Sequence, residues 1–287
     1  MADTSKSNLL HEALSKAPQA TLMFWLVKIC ATTVGETGGD ALSMTLKLGY
    51  LTATLIFLGY FVVALGLQLK AHRYHPFPYW FLVVATTTVG TTTSDFFDRS
   101  LHFGYPLSSA ILLTAVVAVL IAWKLTTGAI RADKITSRRD EIFYWLTILV
   151  SNTLGTALGD FTSDTLPDLM VKLTHAPAGS WDIWGFELGA VLFAALIAVV
   201  AILHFAKALP QAVLFWAAYV LTRPLGATLG DTLTKPHVQG GFNLDRLGAS
   251  AVIVVAMVVL ILLSPKLRRP ASFETAAAWP PQEHEGG

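Results

Sequence analysis

A single cysteine, Cys30, occurs among 287 residues. That excludes an intramolecular disulfide and any cysteine-cluster metal site. Charge is also scarce: Asp, Glu, Lys and Arg make up 14% of the chain, and the formal net charge is only +1. A nucleic-acid binder carries a basic patch or a strongly positive balance, so nucleic acid is not an expected partner. The eight histidines are scattered along the chain rather than clustered, which leaves no dedicated histidine metal site. No P-loop, G-x-S-x-G, H-E-x-x-H or dinucleotide fingerprint occurs, so the expectation is a non-enzyme without a cofactor. Residues 1–18 lack the apolar stretch of a cleavable signal peptide and read as an amphipathic cytoplasmic lead-in.

What the chain has in abundance is apolar residues, 54% of the total, with a mean hydropathy of +0.57. Too little polar surface remains to cover a water-soluble core. A hydrocarbon layer about 30 Å thick is crossed by about 20 helical residues. Eight stretches fit that length, near 20–40, 50–70, 79–95, 106–126, 143–160, 185–206, 211–231 and 246–264. The expected fold class is therefore all-α: a polytopic integral membrane protein of eight transmembrane helices, with the lipid bilayer as its partner. The chain divides into the lead-in (1–18), a first membrane half (19–126), a basic cytoplasmic linker (127–141), a second membrane half (142–265) and a polar, proline-rich tail (266–287). The tail is expected to be disordered, and residues 161–184 to form an acidic outer connection containing Pro167 and Pro177.

Orientation follows from the basic residues. Of the twenty Lys and Arg, thirteen fall on the side of the two termini, and only Lys47, Arg99, Lys172, Lys235 and Arg246 on the other; Lys28 and Arg223 lie within spans. Both termini are expected in the cytoplasm.

The odd-numbered spans repeat one motif without gaps: FWLVKICATTVGETGGD (24–40), YWFLVVATTTVGTTTSD (79–95), YWLTILVSNTLGTALGD (144–160) and FWAAYVLTRPLGATLGD (215–231). Trp25, Trp80, Trp145 and Trp216 each precede a Gly by ten residues and an Asp by fifteen. Tryptophan is rare, so four coincidences in register mark a tandem duplication. Two spans separate successive copies, so the four two-helix repeats are parallel, unlike the inverted repeats of many transporters.

At about 100° per residue, Trp25, Lys28, Thr32, Gly35, Glu36, Gly39 and Asp40 share roughly 140° of one helix face. Equivalent stripes run through Trp80, Thr87, Gly90, Thr91, Ser94 and Asp95; through Trp145, Asn152, Gly155, Thr156, Gly159 and Asp160; and through Trp216, Arg223, Gly226, Gly230 and Asp231. The pairs Gly35/Gly39, Gly90/Ser94, Gly155/Gly159 and Gly226/Gly230 are small-x3-small motifs suited to close helix packing. The four tryptophans read as interfacial anchors. Asp40, Asp95, Asp160 and Asp231 read either as a solvated rim or, with Glu36, as oxygen ligands for a cation or metal. Lys28, Glu36 and Arg223 lie about 18, 6 and 12 Å inward from the aspartate of their own repeat. At such depth ionisable groups serve either as a structural ion pair or as part of a transport path.

These tryptophan-, glycine- and aspartate-marked copies resemble the bacterial membrane-protein family made of four tandem repeats of unknown function. The resemblance spans about 20–265 and implies a bacterial inner-membrane location. Glu36-Thr37-Gly38-Gly39-Asp40 also resembles the acidic E-x-G-D element of cation exporters, with one residue more between the carboxylates and no Glu in the other copies. The leading expectation is a small-ion transporter, most specifically a cation exporter, with proton coupling as one version of it, and with a path through Lys28, Thr32, Glu36, Asp40, Thr87, Thr91, Asp95, Asn152, Thr156, Asp160, Arg223 and Asp231. Five acidic groups on these faces outnumber two basic ones, which favours a cation. An anion or organic-acid transporter using Lys28 and Arg223, and a non-transporting scaffold or sensor, remain as alternatives.

Overall fold

The computed structural model describes residues 16–18, 20–71, 74–130, 135 and 137–264. Most of the lead-in, part of the linker and the whole tail 266–287 therefore lie outside the described residues. The fold is all-α, with eight long helices among the described residues: α1 (Leu22–Asp40), α2 (Tyr50–Lys70), α3 (Pro76–Asp95), α4 (Tyr105–Thr127), α5 (Arg138–Thr174), α6 (Gly185–Phe205), α7 (Gln211–Thr234) and α8 (Arg246–Leu263). Starts are set by local chemistry. Thr21, Ser137 and Asp245 accept hydrogen bonds from the otherwise unpaired N–H groups of Phe24, Asp140 and Gly248, and Pro76 opens α3 where no N–H is needed.

Repeats 1 and 2 end their odd helices alike. A π-helical turn, Ala41–Thr45 or Phe96–Ser100, leads into a glycine with positive φ, Gly49 (77°) or Gly104 (75°), a conformation open to a residue without Cβ. Repeats 3 and 4 depart from this. The acidic connection expected over 161–184 is helical up to Thr174, so α5 is 37 residues long and carries Pro167 inside it. Proline removes the hydrogen bond to the carbonyl four residues earlier, that of Ser163. The backbone of Gly185, at the start of α6, approaches that same carbonyl closely.

The odd helices form a closed ring: α1 against α3, α3 against α5, α5 against α7, and α7 back against α1. Each even helix packs chiefly on the odd helix that follows it, α2 on α3, α4 on α5 and α6 on α7, and α8 closes the circle on α1. Every repeat is thus covered by its predecessor's second helix, which ties the copies together.

Burial is inverted relative to a water-soluble protein. Lys28, Thr32, Thr91, Asn152, Thr156 and Arg223 are wholly buried in the ring, while Val62, Val63, Ile111, Val191 and Val252 on the even helices are exposed. Among the described residues six helices, all but α1 and α3, are long and apolar enough to cross a membrane by length and composition.

Candidate functional site

Ring closure follows one register rule. The first glycine of each repeat meets the residue three positions before the equivalent glycine in the next repeat: Gly35 meets Thr87, Gly90 meets Asn152, Gly155 meets Arg223 and Gly226 meets Thr32. A methyl group at Gly90 would stand 2.9 Å from the Asn152 carbonyl carbon, closer than non-bonded atoms approach. The second small residue continues the rule one turn on. A Cβ at Gly39 would sit 2.9 Å from Thr91 Cγ2, one at Gly159 3.1 Å from Ala227 Cβ, and one at Gly230 2.9 Å from Glu36 Cβ. Ser94 holds this place in repeat 2 and is buried. Thr87 and Thr32 donate hydrogen bonds across the ring to the carbonyls of Ala31 (3.2 Å) and Thr222 (3.2 Å). These two threonines, expected on the path, spend their hydroxyls on helix packing.

The axis of the ring is layered. At the tryptophan end, Trp80, Trp145 and Trp216 are buried at 1%, 2% and 6% exposure and contact Phe24, Tyr79, Tyr144 and Tyr219 edge-on or tilted. The anchor expectation is corrected for these three: the phase of the helix turns the rings inward, where aromatic edge-to-face contact closes the bundle. Trp25 alone remains half-buried.

Above this plug, Lys28 Nζ donates to Asn152 Oδ1 (3.3 Å) and lies 4.2 Å over the Tyr219 ring, and Asn152 Nδ2 donates to Thr86 Oγ1 (2.9 Å). One turn further, Arg223 Nη2 reaches Glu36 Oε2 (2.9 Å), Thr91 Oγ1 (2.5 Å) and Thr156 Oγ1 (2.6 Å). Glu36, Thr91 and Thr156 occupy one motif position in repeats 1, 2 and 3, and repeat 4 has Ala227 there. One guanidinium therefore joins all four odd helices.

At the aspartate end the four carboxylates are buried, so the solvated-rim expectation does not hold. They are bridged in two pairs. Lys235 Nζ contacts Asp40 Oδ2 (2.8 Å) and Asp231 Oδ1 (3.1 Å), while Arg99 contacts Asp95 Oδ1 (2.9 Å) and Asp160 Oδ2 (3.5 Å). Arg246 Nε adds a contact to Asp40 Oδ2 at 3.6 Å. Lys235 and Arg99 each follow their own Asp by four residues, one helical turn. Met44 and Asp164 hold that place in repeats 1 and 3, so the fourfold ring ends in a twofold charge pattern. The sequence reading missed Arg99, Lys235 and Arg246 as site residues, although this spacing was a signal for the first two. Burial pulls the Lys235 pKa down, but Asp231 and Asp40 more than reverse this and hold it well above the ordinary lysine value.

Of the five carboxylates expected as metal ligands, three converge. One oxygen each of Glu36, Asp40 and Asp231 lies within 4.8 Å of the others, a spread that opposite ligands of a divalent ion with bonds of about 2.0–2.6 Å can span. Asp95 and Asp160 lie outside that group and are joined through Arg99. Asp40 Oδ1 is buried with no hydrogen-bond partner among the described residues. Beside the cluster opens a vestibule of about 380 Å³ lined by Arg99, Asp160, Asp164, Asp182, Asp231 and Lys235, among others. Asp231 belongs to both cluster and vestibule, and Lys235, which bridges Asp231 to Asp40, lines the vestibule as well. Neither Lys28 nor Arg223 lines the vestibule.

Comparison with curated proteins and with solved structures finds no match. The family model described as Repeat of Unknown Function (DUF347) matches four times, at residues 23–74, 78–129, 143–208 and 214–269. Each match begins one residue before the aromatic pair that opens a motif copy. With four tandem matches over most of its length, the chain belongs to this repeat family.

Proposed function

We propose that the chain is an eight-span protein of the bacterial inner membrane that moves a small cation along the axis of its odd helices. An apolar belt on the even helices around a charged interior is what a hydrocarbon solvent requires. The less apolar α1 and α3 share the ring with α5 and α7, and we count them as spans on that ground. The excess of Lys and Arg on the terminal side supports cytoplasmic termini.

The convergence of Glu36, Asp40 and Asp231 beside an acidic vestibule carries the cation reading. The earlier count of five acids against two bases does not, because Arg99, Lys235 and Arg246 enter the site and bring the formal charges into balance. In the described conformation the vestibule opens at the aspartate end, and the aromatic plug closes the other. Transport then requires the plug to part while the cluster closes, as alternating access demands.

The scaffold reading draws on the tightness of the glycine contacts. Proteoliposome flux measurements with a panel of divalent cations, protons and small anions separate the readings. Saturable flux of a cation, lost in Asp40→Asn/Asp231→Asn, supports transport. Flux of anions alone would favour the Lys28–Arg223 alternative, and no flux across the panel would favour the scaffold.

A further inference from the structure

Counted as formal charges, the Glu36–Asp40–Asp231 cluster has three negative groups and meets three positive ones among the described residues, Arg223, Lys235 and Arg246. These cations are not equivalent. The Arg223 side chain is 0% exposed and also bonded to threonines of two further helices, whereas the Lys235 and Arg246 side chains are 8% and 20% exposed. The Lys235 backbone is pinned, its N–H donating to the Asp231 carbonyl and its carbonyl accepting from the Asn243 N–H, both at 2.9 Å. Its side chain already lines the vestibule and has room there to swing. Arg246 is held more loosely, 3.6 Å from Asp40 and 3.4 Å from Thr45.

We propose that Lys235 and Arg246 are tethered stand-ins for a divalent cation, which binds Glu36, Asp40 and Asp231 by displacing the Lys235 side chain into the vestibule and the partly exposed Arg246 side chain off Asp40. This rests on the cation-transport reading and adds the valence. Two movable positive charges leave and two arrive, so the buried cluster stays neutral, with Arg223 still on Glu36. A monovalent ion would leave one buried carboxylate uncompensated, an unfavourable state in a low-dielectric interior. The unpartnered oxygen of Asp40 is the ligand atom that neither stand-in uses. An empty cluster thus remains folded and neutral between turnovers, and the ion pairs set a threshold concentration for loading.

The test uses the purified full-length protein in detergent, with Mn²⁺ and Na⁺ titrated by calorimetry and by thermal unfolding. Lys235→Met should raise Mn²⁺ affinity by about tenfold or more, the effect of removing one close charge pair, and Arg246→Met should raise it by a smaller factor. Lys235→Met should also melt earlier than wild type without metal and recover with Mn²⁺, and Asp40→Asn/Lys235→Met should not recover. Equal Mn²⁺ affinity in wild type and both single variants overturns the stand-in role while leaving the cation reading intact. No Mn²⁺ binding by any of them overturns both, and Na⁺ bound by Lys235→Met as tightly as Mn²⁺ overturns the divalent assignment. Should Lys235→Met fail to fold, Arg246→Met decides, because it leaves the Lys235 bridge in place; no gain in its Mn²⁺ affinity overturns the proposal.

Discussion

Arg223→Met removes the guanidinium that holds four helices together, and its effect can be worked from the contacts. Arg223 and Glu36 side chains are 0% and 4% exposed and lie 2.9 Å apart. Without Arg223, Glu36 Oε2 keeps Thr91 Oγ1 at 3.3 Å as its hydroxyl neighbour. Breaking a buried pair by removing one member costs about 3–5 kcal/mol, because the other charge is left uncompensated. Glu36→Gln leaves the buried Arg223 charge uncompensated in turn, but Arg223 keeps its hydroxyl partners Thr91 and Thr156, so the expected loss is at the lower end of that range, about 3 kcal/mol. In Glu36→Gln/Arg223→Met both charges are gone, so the double variant should be more stable than the sum of single losses predicts, by about 2 kcal/mol. Reversible unfolding of the purified protein in mixed micelles, titrated with SDS, measures all three. Additivity within about 0.5 kcal/mol would refute the pairing, since independent sites behave that way.

The glycine register predicts that Gly226→Leu, which drives a side chain into Thr32 and its backbone, sharply reduces the yield of folded protein by size-exclusion chromatography, whereas Val213→Leu on the exposed face of α7 does not; equal yields would remove the close-packing account. Trp145→Ala should destabilise the protein by about 3–5 kcal/mol, as for other buried aromatic residues, and Trp25→Ala by clearly less, measured by the same SDS titration; similar losses would return the tryptophans to equivalent roles. With Cys30 replaced by Ser, single cysteines at exposed Ser137 and Ser180 should react with a membrane-impermeant maleimide from opposite sides, Ser180 from outside. Labelling of both from one side would refute the eight-span topology.

Much of the fold was legible in the sequence because its determinants are local and repeated. Apolar length and helical phase are properties of single segments, so seven of the eight helices, all but α5, appear close to their expected ends, and the motif period implied a ring of like faces. The Glu36–Arg223 pairing was also within reach, since depth along a helix follows from rise per residue. Three features were decided only by tertiary structure. Whether a tryptophan at a helix end meets lipid or the ring axis depends on how neighbouring helices rotate about one another, and three of the four turned inward. The stop of α5 could not be read from Pro167, because the carbonyl that proline leaves unpaired lies against Gly185, a residue distant in sequence. The charge of the site was likewise a property of closure: Arg99 and Lys235 sit one turn beyond their own aspartates, but only the meeting of repeat 2 with 3, and of repeat 4 with 1, brings each to a second carboxylate.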